Sequence, residues 1–258
     1  MLQTFVLQCN VVRSHYVYRQ QFYLAFSTFL VPYLSVNTAH FKIKIMNQAI
    51  ADIRKDYKLK SLLEEDVKSN PIDQFSEWWK EAITGQIEEV NAMTLATATP
   101  EGIPSARIVL LKGFTYDGFK FFTNYLSHKG TELSKNPRAA LVLFWKELER
   151  QVRIEGTVEK LSEEESDAYF KTRPLASKIG AWASPQSTPI AGRYIIEENE
   201  MKYKAQFGEE NIPRPPHWGG YIVKPLKIEF WQGRRSRLHD RIQYAKQNED
   251  WKIERIAP

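Results

Sequence analysis

The sequence has 258 residues, of which 43% are hydrophobic and 26% are charged, a composition typical of one large globular domain or two small ones. The net charge is +5, but residues 1–45 contain four Lys or Arg side chains and no Asp or Glu. Subtracting those four charges leaves +1 on the rest of the chain, so the basic isoelectric point is weak evidence for nucleic-acid binding and we expect no nucleic-acid partner.

Residues 1–45 form a leader whose status the sequence leaves open. Its apolar stretch, 22–34, is short for a membrane span and is interrupted by Pro32, so we expect no membrane partner. We favour a translation start at Met46, where the composition changes to that of a globular protein; a targeting segment is the alternative. The domain proper is therefore expected at 46–258.

Cysteine and histidine usage argues against disulfide and metal chemistry. The single cysteine, Cys9, lies in the leader, so the body has no disulfide framework and no thiolate metal site. This usage is typical of a reducing compartment, and we expect a cytoplasmic protein, with targeting by the leader as the alternative. The five histidines have no metal-ligand spacing, and we expect no metal.

The first part of the body predicts two helices followed by strands. A short helix is expected at 47–57, and a second begins at Asn70-Pro71, has Phe75 and Trp78 on one apolar face and ends near Gly85. The hydrophobic period then changes to that of strands. The strands are expected at 92–99, 106–114 and 119–123, with turns at 100–102 and 116–118.

The second part predicts further strands with helices inserted between them. The expected helices are 127–136, 162–171 and 192–207, and the expected strands are 139–145, 150–160, 221–231, 237–244 and 251–256. Consecutive antiparallel hairpins with peripheral helices indicate an α+β fold built on a β-barrel. No strand leads into a Gly-rich helix start, which argues against a Rossmann unit and a P-loop.

The segment 217–241 carries the most informative chemistry. If 237–244 is a strand, Arg237, His239 and Arg241 share one face, while Leu238 and Ile242 are buried on the other. Such a group repels itself unless an anion lies within it. The pattern therefore predicts a phosphorylated or carboxylated ligand, which would also offer a flat ring to Trp231.

Three other stretches could bind anions. Arg107 and Lys112 are five residues apart, so regular alternation would put them on opposite strand faces, and ordinary solvated strand ends explain them equally well. His128 and Lys129 follow Ser127 at a helix start, where cations oppose the helix dipole unless an anion is bound.

The third stretch comprises Tyr169, Arg173 and Ser177, which have the i, i+4, i+8 spacing of one helix face if Pro174 permits continuity. A hydroxyl, a guanidinium and a second hydroxyl could bind a phosphate, although an ordinary polar helix face has the same pattern. The spacing alone does not decide between the two.

Taken together, these motifs resemble the pyridoxamine (pyridoxine) 5'-phosphate oxidase family. The resemblance covers the chain from about Ile53 to the C-terminus. It is carried by the stretches 107–112, 121–125, 127–129, 169–174, 179–184, 186–187, 217–221, 229–233, 237–241 and 255–258.

The resemblance implies an FMN-binding split β-barrel with peripheral helices, assembled as a homodimer with FMN in two clefts at the subunit interface. By position, the FMN site would comprise Arg107, Ile108, Val109, Leu110, Leu111, Lys112, Phe122, Thr123, His128, Lys129, Gln151, Gln186, Ser187, Trp231 and Arg241. The substrate site would comprise Arg54, Lys55, Asp56, Tyr57, Lys112, Tyr169, Arg173, Ser177, Arg237, Leu238 and His239, the first four as a mobile lid. Arg237 and His239 are the expected catalytic pair.

The implied reaction is oxidation of pyridoxamine 5'-phosphate or pyridoxine 5'-phosphate to pyridoxal 5'-phosphate, with oxygen as acceptor and hydrogen peroxide as product. Two residues depart from the family pattern: His128 stands where Arg is usual, and Phe122 where Tyr is common. A split-barrel flavin reductase, or another flavoprotein with a different substrate, is the alternative, and a nucleic-acid binder with basic residues 234–237 beside aromatic rings is a weaker one. The sequence leaves open the preference between amine and alcohol, regulation by product and the effect of His128 on FMN affinity.

Overall fold

The computed structural model describes residues 50, 51, 53 and 55–258. The predicted leader and Arg54 lie outside these residues. Two compact units divide the chain, Met1–Lys55 and Asp56–Pro258, and every element numbered below belongs to the second. Ile50 and Ala51 are helical whereas Asp56 and Tyr57 are not, so the helix predicted for 47–57 does not extend to its expected end.

The elements of the second unit are numbered in chain order. The helices are α1 (Pro71–Thr84), α2 (His128–Lys135), α3 (Glu163–Thr172), α4 (Leu175–Ala183) and α5 (Tyr194–Phe207). The strands are β1 (Ala92–Ala98), β2 (Pro104–Leu110), β3 (Gly113–Thr115), β4 (Gly118–Asn124), β5 (Arg138–Trp145), β6 (Arg150–Lys160), β7 (Trp218–Gln232), β8 (Asp240–Gln247) and β9 (Asp250–Arg255). The α+β class predicted from the sequence is confirmed.

Helix α1 begins and packs as its sequence predicts. The Asn70 side chain accepts a hydrogen bond from the N–H of Ile72, and Pro71 occupies the first turn, where a missing N–H costs nothing. Phe75 and Trp78 lie on the buried face and pack edge-on against Phe119 and Phe230, with ring centroids 4.9 and 5.1 Å apart. The helix therefore closes the hydrophobic core against the sheet.

All described strand pairs are antiparallel, in the order β2-β1-β5-β6-β7-β4-β3, with β8 and β9 continuing from β7. The 15-residue strand β7 pairs with β4 along its first half and with β8 along its second. The register between β6 and β7 shifts at Gly156, where a Cβ atom would lie 2.1 Å from the carbonyl oxygen of Lys224. The long strand thus joins two regions of the sheet.

Several elements differ from the sequence-based expectation. The strand predicted for 106–114 is divided, because the N–H of Leu111 donates to Asn91 whereas that of Lys112 donates to Lys120. The backbone here changes its partner from the β1 side to the β4 side, which a local pattern does not reveal. Helix α4 was not predicted, and Pro174 separates it from α3.

The strand predicted for 237–244 starts three residues late, at Asp240. Residues 235–237 form a 3₁₀ turn in which Ser236 and Arg237 have φ values of 55° and 62°. The predicted alternation across residues 237–241 is therefore wrong: Leu238 is 70% exposed, whereas Ile242 is buried as expected. Left-handed backbone in two successive non-glycine residues has no signal in the hydrophobic pattern.

Within the described part of the chain, no helix is long and apolar enough to cross a membrane. The same residues contain no cluster of three or more His, Cys, Asp or Glu side chains that could hold a metal ion.

Two buried tyrosines provide a matched test of the core. The hydroxyl of Tyr244 donates to the carbonyl of Lys68 at 2.7 Å, whereas that of Tyr221 has no hydrogen-bond partner among the described residues, and burial raises its pKa to about 12. Tyr221→Phe should stabilise the protein by about 1 kcal/mol, because it removes an unpaired buried hydroxyl, and Tyr244→Phe should destabilise it by a similar amount. Urea denaturation of both variants measures the change in the free energy of unfolding. Equal losses of stability in the two variants would contradict the conclusion that the Tyr221 hydroxyl is unpaired.

Candidate active site

A cleft of about 470 Å³ opens beside β2, β4 and the N-terminus of α2, with α3 and α4 along its other side. Eleven residues predicted from the sequence line it: Ile108, Val109, Leu110, Lys112, Phe122, Thr123, Lys129, Tyr169, Arg173, Ser177 and Gln186. Asn124, Thr172, Pro174 and Trp218 line it as well and were not assigned from the sequence. Trp218 lies in the 217–221 motif that carries the resemblance, and that motif was the available signal for it.

The cleft is strongly positive. Its lining includes Lys112, Lys129 and Arg173 and contains no Asp or Glu. The Lys129 side chain is 8% exposed, and its ammonium donates to the hydroxyls of Thr123 and Ser127 at 3.2 and 3.5 Å. Burial, and then the charge of Arg107, lowers the pKa of Lys129. Buried cations without a carboxylate partner are unfavourable alone, so the cleft is suited to an anion.

Arg173 is the clearest sign of a missing partner. Its Nη1 is buried and has no hydrogen-bond partner among the described residues, and its guanidinium lies 4.6 Å from the ring centroid of Trp218. Burial lowers the pKa of Arg173. Unsatisfied charged donors are rare in protein interiors and commonly mark a ligand site.

The route by which Arg173 reaches the cleft differs from the prediction. Helix α3 ends at Thr172 and α4 starts at Leu175, so Tyr169, Arg173 and Ser177 do not share one helix face. All three nevertheless line the cleft, because the break at Pro174 turns the second helix toward the same space. Tyr169 stacks on Phe122, with ring centroids 3.9 Å apart.

Arg107 and His128 lie beside the cleft but not in its lining. The guanidinium of Arg107 donates to Leu95, Thr97 and Ser105 and lies 3.5 Å from the carboxylate of Glu132. His128, which is exposed, is also 3.5 Å from that carboxylate.

Glu132 is buried, and its carboxylate contacts both Arg107 and His128. Burial opposes its ionisation, but hydrogen bonds from Thr97 and Ser105 and the charges of His128 and Arg107 outweigh burial and lower its pKa. Sequence reasoning missed Glu132, although it lies four residues after His128, a spacing typical of helical ion pairs. Leu111, another predicted site residue, is buried in the core.

A second group of predicted residues lies at the other end of β7. Gln151, Trp231 and Arg241 are direct partners on the adjacent strands β6, β7 and β8. Directly paired residues share a sheet face, so these three side chains lie side by side. Arg241 forms two hydrogen bonds with Glu229, at 2.8 and 3.0 Å, and this carboxylate supplies the negative charge that the sequence analysis had attributed to a ligand.

His239 belongs to this second group because its ring packs against that of Trp231. Its centroid is 4.6 Å from that of Trp231, and its Nδ1 accepts a hydrogen bond from the N–H of Arg234 at 3.0 Å. The neutral imidazole therefore carries its proton on Nε2. Burial, and then the charges of Arg237 and Arg241, lowers the pKa of His239, which favours this neutral form at pH 7.

The remaining predicted residues are divided between the second group and the surface. Tyr57 packs edge-on against Trp231, at 5.6 Å, and Asp56 lies 3.9 Å from Arg235. Arg237, Leu238 and Ser187 are exposed and none of them lines the cleft. Lys55 belongs to the first unit.

The cleft and the second group, which comprises Gln151, Trp231, Arg241 and His239, lie at different places in one chain. Trp218 in the cleft and Trp231 in the second group are thirteen residues apart on one strand. At about 3.3 Å per residue, the strand path between them is roughly 40 Å long. The cleft and the second group therefore lie near opposite ends of β7.

Comparison with known proteins shows which family the chain belongs to. A family model described as "Pyridoxamine 5'-phosphate oxidase" matches residues 79–204, and one described as "Pyridoxine 5'-phosphate oxidase C-terminal dimerisation region" matches 218–258. A pyridoxine/pyridoxamine 5'-phosphate oxidase from Cupriavidus necator is 58% identical over 210 residues, 81% of this chain and 99% of the relative. This chain belongs to the pyridoxamine 5'-phosphate oxidase family. It is thereby an oxidoreductase of a flavin-binding family.

Further relatives agree with this membership. A pyridoxine/pyridoxamine 5'-phosphate oxidase from Nostoc punctiforme is 56% identical over 214 residues, 83% of this chain and all of the relative. Among solved structures, PhzG from Burkholderia lata, in complex with tetrahydrophenazine-1-carboxylic acid, is 31% identical with a TM-score of 0.73, covering 78% of this chain and 99% of PhzG.

An FMN-binding, pyridoxamine 5'-phosphate oxidase-related protein from Nostoc punctiforme is 20% identical with a TM-score of 0.55, covering 70% of this chain and 97% of that protein, and supports the fold alone. The predicted split β-barrel is confirmed.

The unpaired guanidinium gives a direct test of the cleft. Inorganic phosphate at about ten times its dissociation constant should raise the melting temperature of the ligand-free protein by about 3–6 °C. Arg173→Met should reduce this increase by at least about half, because it removes the guanidinium whose Nη1 is buried and unpaired while keeping an apolar side chain of similar length. Arg193→Met, at a residue whose side chain is 86% exposed, is the control and should leave the increase unchanged. An equal increase in the Arg173 variant would contradict phosphate binding there.

Proposed function

We propose that this protein is an FMN-dependent oxidase that converts pyridoxine 5'-phosphate and pyridoxamine 5'-phosphate to pyridoxal 5'-phosphate. Oxygen would be the electron acceptor and hydrogen peroxide the product. The observation that carries the proposal is the cleft with three cations and no carboxylate, in which Arg173 has an unsatisfied buried donor. Relatives of 56–58% identity that are named for this activity support the choice of substrate.

The substrate phosphate is assigned to Lys112, Tyr169, Arg173 and Ser177. Two cations and two hydroxyls can provide several charge-assisted and neutral donors to one phosphate. Because Nη1 of Arg173 has no hydrogen-bond partner among the described residues, a phosphate oxygen would satisfy a donor that is costly when unpaired. A substrate without the phosphate should therefore bind much more weakly.

The FMN is assigned to the other side of the same cleft and to the second group. Thr123 and Lys129, together with the backbone and side chains of 108–110, suit the phosphate end and the adjacent chain of a mononucleotide. Three neighbouring side chains on the sheet could contact FMN: the amide of Gln151, the flat ring of Trp231 and the paired guanidinium of Arg241. When bound, FMN supplies the two-electron redox chemistry that none of the protein side chains can supply.

A homodimer would bring the two groups to one substrate. Two observations support this proposal: the two groups lie near opposite ends of β7, and the matching C-terminal family model is described as a dimerisation region. We infer that each site combines the cleft of one protomer with Trp231, Arg237 and His239 of its partner. Two equivalent sites per dimer follow from two-fold symmetry.

Arg237 and His239 are assigned to the substrate ring. The exposed Arg237 can cover and orient a pyridine ring, and the neutral His239 can donate a hydrogen bond from Nε2. Oxidation of the alcohol removes a hydride from C4' and a proton from its hydroxyl. Oxidation of the amine removes a hydride from C4' and a proton from the amino nitrogen, and water then hydrolyses the resulting imine to the aldehyde with release of ammonia.

An anaerobic spectrum tests the proposed activity. The FMN-loaded protein should lose its flavin absorbance when pyridoxine 5'-phosphate is added without oxygen, and regain it with formation of hydrogen peroxide when air is admitted. Unphosphorylated pyridoxine at the same concentration is the control and should give little bleaching. A protein that binds no FMN would contradict the flavin assignment. A protein that binds FMN but is reduced only by another donor, such as a reduced phenazine carboxylic acid, would contradict the B6 substrate.

Complementation tests the composite site. Arg173→Met and Arg237→Ala should each reduce kcat/KM for pyridoxine 5'-phosphate by about tenfold or more. In randomly assembled dimers of the two variants, half are mixed and each mixed dimer has one intact site, so co-expression should restore about a quarter of wild-type activity. Activity no higher than that of the separate variants would contradict a site shared between protomers.

A further inference from the structure

The segment 56–64 lies against the second group without forming a helix or strand. Tyr57 contacts two site residues, with its ring centroid 5.6 Å from that of Trp231 and 5.8 Å from that of His239. Trp231 and His239 also contact each other at 4.6 Å. The position of Tyr57 therefore affects both rings that the proposed function assigns to flavin and substrate.

A buried carboxylate holds this segment. The backbone N–H groups of Lys58 and Leu59 both donate to Oε2 of Glu149, at 2.7 and 3.1 Å. Glu149 is only 4% exposed, so these charge-assisted hydrogen bonds are shielded from water. Because 56–64 has no regular secondary structure, bonds of this kind determine where its backbone lies.

The backbone of Glu149 binds Gln232 and Gly233, which follow Trp231 at the end of β7. Glu149 has a left-handed conformation, with φ of 54°, after the 3₁₀ turn Lys146–Leu148. Its carbonyl accepts hydrogen bonds from the N–H of Gly233, at 2.7 Å, and from the Gln232 side chain, at 3.2 Å. One residue thus links the Tyr57 segment to the end of β7, directly after Trp231.

Gly233 makes the close approach of Tyr57 possible. A Cβ atom at residue 233 would lie 2.7 Å from Cγ of Tyr57 and 3.1 Å from Cβ of Glu149. Tyr57 would have to move to accommodate it. Tyr57 can therefore be displaced in two ways, by removing the carboxylate of Glu149 or by adding a methyl group at Gly233.

We propose that Glu149 is a positioning residue for the reaction, which fixes Tyr57 against Trp231 and His239 by binding the backbone of Lys58 and Leu59. Glu149 itself does not contact the reacting atoms. This inference rests on the proposed function, because it takes Trp231 and His239 as part of the substrate and flavin site. Loss of the carboxylate weakens substrate binding while the flavin and the fold are retained.

Hydrogen exchange and kinetics on the FMN-loaded full-length protein test the inference together. In Glu149→Ala, exchange of the Lys58 and Leu59 amides should increase about tenfold or more, because both lose a charge-assisted hydrogen bond. KM for pyridoxine 5'-phosphate should rise about tenfold, with a change in kcat below about twofold. Glu149→Gln keeps one acceptor oxygen and should give intermediate values.

Two further variants separate positioning from a loss of folding. Glu147→Ala, at an exposed residue of the same turn, should leave exchange and KM unchanged. Gly233→Ala should raise KM without removing the carboxylate. Increased exchange in Glu149→Ala with wild-type KM would overturn the positioning role, and unchanged exchange would overturn the anchoring contact. A wild-type protein inactive on pyridoxine 5'-phosphate would instead reject the proposed function, and the exchange experiment would still measure the anchor.

Discussion

An excess of positive charge in one cleft is the constraint on which the rest of the site depends. Lys112, Lys129 and Arg173 line a space that contains no carboxylate, although the nearby carboxylate of Glu132 faces Arg107 and His128. Arg107, beside the cleft, is thus paired with a carboxylate, whereas no Asp or Glu lies among the described residues that line the cleft. Because Lys129 and Nη1 of Arg173 are buried, this arrangement is costly for a ligand-free fold, and the proposed binding of phosphates would offset the cost. Stability and ligand binding would then be coupled at the same side chains.

The residues that we assign to the site lie in two separate regions of the sheet. Strand β7 carries Trp218 in the cleft at its start and Trp231 at its end, and its partners change from β4 to β8 between them. The strand carries the two sets of residues near its opposite ends, and the proposed homodimer would bring one set from each protomer to one site. Binding groups placed on strands keep their geometry, whereas Tyr57 lies on an irregular segment and depends on anchoring by Glu149.

Local backbone geometry determines how the second group is presented. Arg237 and His239 leave the strand pattern because Ser236 and Arg237 have positive φ values, and the resulting turn lets the N–H of Arg234 donate to Nδ1 of His239. That hydrogen bond selects the Nε2–H tautomer, and burial with two nearby cations favours the neutral ring. The same turn leaves Leu238 exposed. Glu229 pairs with Arg241 and thereby gives one of these two cations a carboxylate partner.

The sequence by itself determined the class of fold, most strand positions, helix α1 and the family, because hydrophobic period, capping residues and motifs such as 237–241 are local signals. It also gave eleven of the residues that line the cleft. Only the tertiary structure decided where β2 ends, how the break at Pro174 brings Tyr169, Arg173 and Ser177 together, and that Glu229, Glu132 and Glu149 hold the residues around them. These features depend on hydrogen bonds between residues distant in the chain and on left-handed backbone, neither of which leaves a periodic pattern in the sequence.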